Sequence, residues 1–284
     1  MCDLHETLNA ADGEMPTLHR RDVVRGLWSG TMVAYAGAAA GCTTNPATGR
    51  SQLIMFSEGE LVQMASQAWA QTKQETPISR DRAANARLQR IGKKIAANAT
   101  ARSPQLQGTQ WEFVVFDTDD KNAFVLPGGK VGFYKGLMDF SENDDQMAAV
   151  LGHEVGHVTG RHSSERMSQQ MLGQVGMVAA GVAAASSDLS TEQQQLLLAL
   201  GGAGLTMGVI LPYSRKHELE ADLLGVDYMY DSGYDVTESV RLWERMGGES
   251  RSSTPEWMST HPSPNTRVRE LKSYINSRGY ALMA

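Results

Sequence analysis

The sequence predicts an α+β fold that is mostly helical, with a small β-sheet set beside one central helix. Three observations predict it. Apolar residues recur at helical spacing over most of the 284 residues. β-Branched and aromatic residues concentrate in one stretch, 109–134. Shortly after it, "LGHEVGHVTGRHS" (151–163) carries three histidines and a glutamate on a helical apolar pattern, so the sheet and the chemistry-bearing residues are neighbours in the chain.

Residues 1–41 read as an export signal rather than as part of the fold. Arg20, Arg21 and Arg25 form a basic region, and Gly26 to Ala40 a weakly apolar stretch too short and too rich in Gly and Ala for a membrane anchor. Ala39-Ala40-Gly41-Cys42 resembles a bacterial lipobox, which would make Cys42 the lipidated first residue of the mature chain and its attachment to a membrane. Arg20-Arg21 suits a twin-arginine or a general export route alike. Thr43, standing where an aspartate would mark inner-membrane retention, points to the periplasmic side of the outer membrane.

Residues 42–55 read as a polar linker, and 56–284 as one domain. Ser57 and Glu60 have capping-box spacing at the head of a helix running towards Pro77. A second helix is predicted over 79–99, with Leu88, Ile91 and Ile95 on its apolar face. Residues 109–117 read as a strand, and 122–134 as two short strands joined at Pro127-Gly128-Gly129. Ser141 and Asp144, at capping distance, open the helix whose apolar face is Met147, Val150, Leu151, Val155 and Val158. From Gln174 to Leu211 the chain is rich in Gly, Ala and Met. Its longest apolar run, 16 residues, spans about 24 Å as a helix, short of the roughly 30 Å hydrocarbon core, so a buried helical hairpin is expected, its contact with a membrane left open. Helices follow over 214–233, ended by Gly233, and near 237–246 and 265–277.

Composition excludes several functions. A net charge of -6 with no basic stripe argues against nucleic acid as a partner. Two cysteines, Cys2 and Cys42, cannot build a disulfide framework or a thiolate zinc site, so any metal rests on His, Asp or Glu.

On a helix, His153 and His157 lie four apart, so both imidazoles can reach one ion. Glu154 is then placed to contact a water on the ion's open side. The third ligand must come from elsewhere. The metzincin extension HExxHxxGxxH matches Gly160 but needs a histidine at 163, where Ser163 stands. His162, about 140° around a continuous helix from His157, reads as a hydrogen-bonded or surface histidine. The gluzincin pattern takes a glutamate from a separate helix, and "HELEAD" supplies Glu218 with Asp222 one turn on. Glu218 can bind the ion while Asp222 hydrogen-bonds the far nitrogen of a ligand histidine, His153. Glu220 points away from both and reads as a solvated acidic face. Two imidazoles and a carboxylate suit one Zn2+ best. The expected fold sharpens to a gluzincin-type zincin with its sheet beside the HExxH helix.

"NAFVLPGGKVGFYKGL", "LGHEVGHVTGRHS", "SRKHELEAD" and "STHPSPNTR" occur in the order seen in the zinc-peptidase family of HtpX, the CAAX prenyl proteases and the mitochondrial OMA-type proteases, which the chain resembles from Phe56 onwards. With a lipobox it looks most like the periplasmic lipoprotein branch typified by LoiP and BepA. The absence of a tetratricopeptide region after the peptidase favours the LoiP side. The resemblance implies zinc ligands at His153, His157 and Glu218, a catalytic glutamate at Glu154 and an orienting aspartate at Asp222. It also implies that the strand "GKVGFY", with Gly132 and Phe133, is the edge to which substrate backbones add, and that the "STHPSPNTR" loop lies near the metal.

A zinc of this kind leaves a position for water, lowers its pKa towards about 7 and polarises a carbonyl; Glu154 would take the proton and return it to the leaving amine. His261 could stabilise the oxyanion, bind zinc in place of water to keep the enzyme latent, or cap the last helix. Arg267 could brace the loop or touch substrate. The function expected is a zinc endopeptidase acting on unfolded or misassembled envelope proteins. Its rival is a periplasmic chaperone or assembly factor with a latent or structural zinc site.

Overall fold

The computed structural model describes residues 42–185, 214–249, 261 and 264–280. The signal expected over 1–41, and the part of the expected hairpin from 186 to 211, lie outside them. The chain forms two compact units. Among the described residues, one takes in 42–45, 49–56 and 164–185, the other 46–48, 57–163, 214–249, 261 and 264–280.

In the first unit, β1 (Cys42–Thr44) pairs antiparallel with β2 (Ser51–Leu53), with Cys42 opposite Leu53. A hairpin thus stands where a linker is expected. Its stability comes from polar groups that satisfy one another. Asn45 Nδ2 donates to Gln52 Oε1 at 3.1 Å with both residues fully buried, and Arg50 and Gln52 both donate to Glu165. Hydrophobic periodicity carries no signal for such pairing.

The second unit holds the core. α1 (Glu58–Glu75) starts on the expected capping box, with Ser57 Oγ accepting from Glu60 N and Glu60 Oε2 accepting from Ser57 N at 2.9 Å. α2 (Arg82–Arg102) is capped by Asp81, which accepts from Ala83 N and Ala84 N, and buries Leu88, Ile91 and Ile95 as expected. β3 (Glu112–Phe116), β4 (Ala123–Leu126) and β5 (Lys130–Tyr134) form a sheet of order β3-β5-β4. β5 runs parallel to β3 and antiparallel to β4. Gly128 and Gly129 turn β4 into β5 at φ +81° and +79°, conformations that favour glycine.

β5 is therefore the central strand, not an edge. Gly132 and Phe133 have ladder partners on both sides and are buried, and a Cβ at Gly132 would meet the Phe124 ring at 2.4 Å. The substrate-edge role expected of these two residues is ruled out by the strand order. β3 and β4 border the sheet instead. A parallel β3–β5 pairing, which makes β5 central, leaves no local trace in the sequence.

After the short α3 (Lys135–Phe140), the chain enters α4 (Asp144–Thr159). Its cap is Asn143, whose side chain accepts from Gln146 N at 2.8 Å; Ser141, expected as the cap, ends α3. Every residue of α4 from Gln146 to His157 is buried. Such a helix is a core element covered on all faces. α4 stops at Thr159, and α5 (His162–Ala185) follows a helix break at Gly160 and Arg161, the latter at φ +52°. α6 (Arg215–Asp231), α7 (Thr237–Glu249) and α8 (Pro264–Arg278) complete the unit.

α4 and α6 touch through their backbones. A Cβ at Gly156 would lie 2.6 Å from Ala221 O, one at Gly152 2.8 Å from Gly225 O, and one at Gly225 2.8 Å from His153 N. Gly156→Ala should gain up to about 1 kcal/mol of helix propensity yet lose more by forcing two backbones apart, for a net destabilisation of about 1–3 kcal/mol. Thermal unfolding checks this, with Gly59→Ala in α1, where a Cβ meets nothing within 4 Å, expected to be neutral or stabilising.

Candidate metal centre and active site

The close approach of α4 and α6 places His153, His157 and Glu218 together, and His261 joins them from the segment before α8. One ligand atom from each of the four lies within 4.8 Å of all the others, and all four residues are buried. His153 Nε2 and His157 Nε2 stand 3.0 Å apart, and Glu218 Oε1 is 3.4 Å from His157 Nε2. Ligand atoms about 2.1 Å from a tetrahedral ion stand about 3.4 Å from one another, so the donors present fit a zinc ion. The ligands expected from the sequence are the residues that converge.

Behind His153, Asp222 Oδ1 lies 2.9 Å from Nδ1, as expected. Arg267 then grips Asp222 with two charge-assisted bonds, Nε to Oδ2 and an Nη to Oδ1, both 2.6 Å, and reaches Glu218 Oε2 at 3.1 Å. The guanidinium lies 3.3 Å over the Trp243 ring, which also makes a T-shaped contact with the His153 ring. Arg267 is 2% exposed and engages two carboxylates in this arrangement. The bracing role is the one its geometry supports.

His261 Nδ1 is 3.0 Å from both Glu218 oxygens and 3.1 Å from His153 Nε2, and its Nε2 is 3.8 Å from Glu154 Oε1. Its side chain points into the ligand group rather than capping α8. Glu154 is 1% exposed and adjoins the group, on the side of His261. His162 is hydrogen-bonded, as expected, but Glu220 is not a solvated acid: its side chain is 13% exposed and lies 2.8 Å from His162 Nε2. Helical projection assumes one straight helix from 141 onwards, and the break at Arg161 removes that assumption. Gly160 was the available signal for an ending helix. Nothing local to the sequence marks Trp243.

Electrostatics prepare the site for a cation. Burial, aided by the charge of Arg267, lowers the pKa of His153 against the pull of Asp222, and burial lowers that of His157 well below the usual imidazole range. Both rings are thereby kept neutral, as metal ligands must be. Burial works to raise Glu218 and Asp222 but is outweighed. His261 and Arg267 hold Glu218 well below the usual carboxylate range, and Arg267 with His153 lowers Asp222.

The model of peptidase family M48 matches residues 82–275. The chain belongs to peptidase family M48. Among curated relatives, the mitochondrial metalloendopeptidase OMA1 of Schizosaccharomyces pombe is 36% identical over 58% of this chain and 47% of its own length. The Arabidopsis thaliana OMA1 is 31% identical over 67% and 37%. The beta-barrel assembly-enhancing protease of Escherichia coli is 27% identical over 86% and 49%. The chain thus spans about half the length, or less, of these three relatives. Members of family M48 are zinc-dependent metallopeptidases, and the buried group of His153, His157, Glu218 and His261 is consistent with a zinc site.

Two consequences can be measured. Removing the guanidinium in Arg267→Ala strands two buried carboxylates, so the metal-free protein should lose about 3–5 kcal/mol in urea denaturation, and zinc loading should restore part of it. Acidification is the second. His153 and His157 titrate near 6.5 when unfolded but lower when folded, so the stability they contribute is complete above about 6.5 and lost as pH falls below it. Glu218 and Asp222 have the same sign and add their loss below about 4.5. The melting temperature of the metal-free protein should therefore fall between pH 7 and 5, and fall further below 4.5.

Proposed function

We propose that the chain is a zinc endopeptidase that cleaves unfolded or misassembled envelope proteins, with Glu154 as its general base and His261 as a latency ligand. The observation that carries the reading is the buried group of His153, His157, Glu218 and His261 with Glu154 beside it. When bound, zinc polarises the scissile carbonyl and makes a water nucleophilic at neutral pH. Glu154 takes a proton from the attacking water and hands it to the leaving amine. Asp222 and Arg267 keep the His153 ring in one orientation throughout.

Substrate enters as an extended strand against β4, the bordering strand nearest α4, by main-chain pairing that is largely blind to side-chain sequence. Such recognition suits unfolded chains. Glu154, His153, His157, Glu218 and His261 are all under 5% exposed, which supports a latent site; in this proposal His261 swings out to admit a peptide carbonyl. The proposal sites the protein at the periplasmic face of the outer membrane, held by a lipid on Cys42. Cys42 stands at the start of β1 with its Sγ disulfide-bonded, so the anchor requires that the signal be cleaved and this sulfur released first; no helix among the described residues is long and apolar enough to cross a membrane. The beta-barrel assembly-enhancing relative supports an envelope substrate.

Casein cleavage by the zinc-loaded protein tests the reading. Glu154→Gln should abolish cleavage, by at least a hundredfold, while zinc content is unchanged. His261→Ala should raise the rate; a fall in kcat instead would assign it to oxyanion stabilisation. Wild type and His261→Ala both inert, with zinc bound, would favour the assembly-factor reading.

A further inference from the structure

His157 has a partner that the mechanism so far does not use. Its Nδ1 lies 2.8 Å from His162 Nδ1, and His162 Nε2 lies 2.8 Å from Glu220 Oε2. His162 is fully buried, and its ring stacks on His217 at 4.5 Å with the planes 18° apart. The backbone is bent to put it there. α4 ends at Thr159, Arg161 takes φ +52°, a conformation uncommon for a residue with a side chain, and Arg161 Nε is held 3.2 Å from Glu58. Gly160 is the residue that permits the approach, since a Cβ there would stand 2.2 Å from His162 Nε2.

The proton positions follow from the ligand geometry. His157 turns Nε2 towards His153 and Glu218, so Nδ1 carries its hydrogen and donates to His162 Nδ1. His162 then carries its own proton on Nε2 and donates to the Glu220 carboxylate. Each ligand histidine thus has an anion-terminated support: Asp222 braced by Arg267 for His153, and His162 braced by Glu220 for His157. We infer that His162 and Glu220 form a positioning relay that fixes the ring orientation and tautomer of His157 for zinc binding, an inference resting on the zinc site assigned above. Supports of this kind raise ligand basicity and are typically worth about 10–100-fold in metal affinity.

Zinc affinity of the full chain, measured by competition with a chelator, tests the relay without recourse to activity. Asp222→Ala serves as the reference for a lost support. Glu220→Ala should weaken zinc about tenfold or more, and Glu220→Gln, which keeps an acceptor oxygen, should recover most of that loss. His162→Ala should weaken zinc at least as much, and adding Glu220→Ala to it should cost nothing further, because the two act in series. The ligand-field absorption of the Co2+-loaded protein should shift in Glu220→Ala. If His162→Ala does not fold, the Glu220 variants decide the matter alone. Zinc affinity within twofold of wild type in Glu220→Ala, or losses that simply multiply in the double variant, would overturn the relay while leaving the metal site intact. A wild type that binds no zinc would sink both.

Discussion

The contact between α4 and α6 is closer than side chains normally allow, and the site follows from it. Helices usually pack with axes 8–10 Å apart, kept there by the residues between them. Here Gly152, Gly156 and Gly225 remove those residues, and Ala221 supplies the smallest that remains. Two imidazoles on one helix and a carboxylate on the other can then meet around a single point. A methyl group at any of the three glycines would separate the helices at the level of the ligands. The glycine inside "HEVGH" is thus a packing requirement of the metal site, with no chemical role of its own.

Bringing these groups together in a dry interior creates an electrostatic problem that the same elements solve. Glu218 and Asp222 are both buried anions, and their repulsion is offset by Arg267, which contacts both and is itself covered by Trp243. A buried charge left alone would neutralise or unfold its surroundings. The arrangement keeps the carboxylates ionised and the ligand imidazoles neutral, which is the protonation state a divalent cation needs. His261 completes the enclosure from the segment before α8. The groups that would do chemistry are thereby held in place but shut away from peptide.

The end of α4 is as important as its middle. Had the helix continued straight, His162 would have faced away from the ligands and Glu220 would have been a surface acid. The turn at Gly160 and Arg161 brings His162 back to His157, and Glu220, two residues before Asp222 on α6, meets it there. Neighbouring residues of one helix, Glu218, Glu220 and Asp222, thus serve three different partners.

Local sequence determined a good deal. Periodicity and capping residues placed the helices to within a few residues, turn glycines placed the β4–β5 hairpin, and the spacings within "HEVGH" and "HELEAD" picked out His153, His157, Glu218 and Asp222, which converge in the structure, because i to i+4 geometry is a property of any helix. Four motifs in order identified the family. Tertiary structure alone decided the rest. Which strand lies at the sheet edge depends on the parallel β3–β5 pairing, a non-local choice. The polar hairpin at 42–53 is held by side chains that pair across more than a hundred residues. Arg267 turns inward because Asp222, Glu218 and Trp243 are waiting for it, and His162 reaches His157 because the backbone breaks between them. Each of these depends on groups far apart in the chain, or on a change of direction, that a repeating local pattern has no means to express.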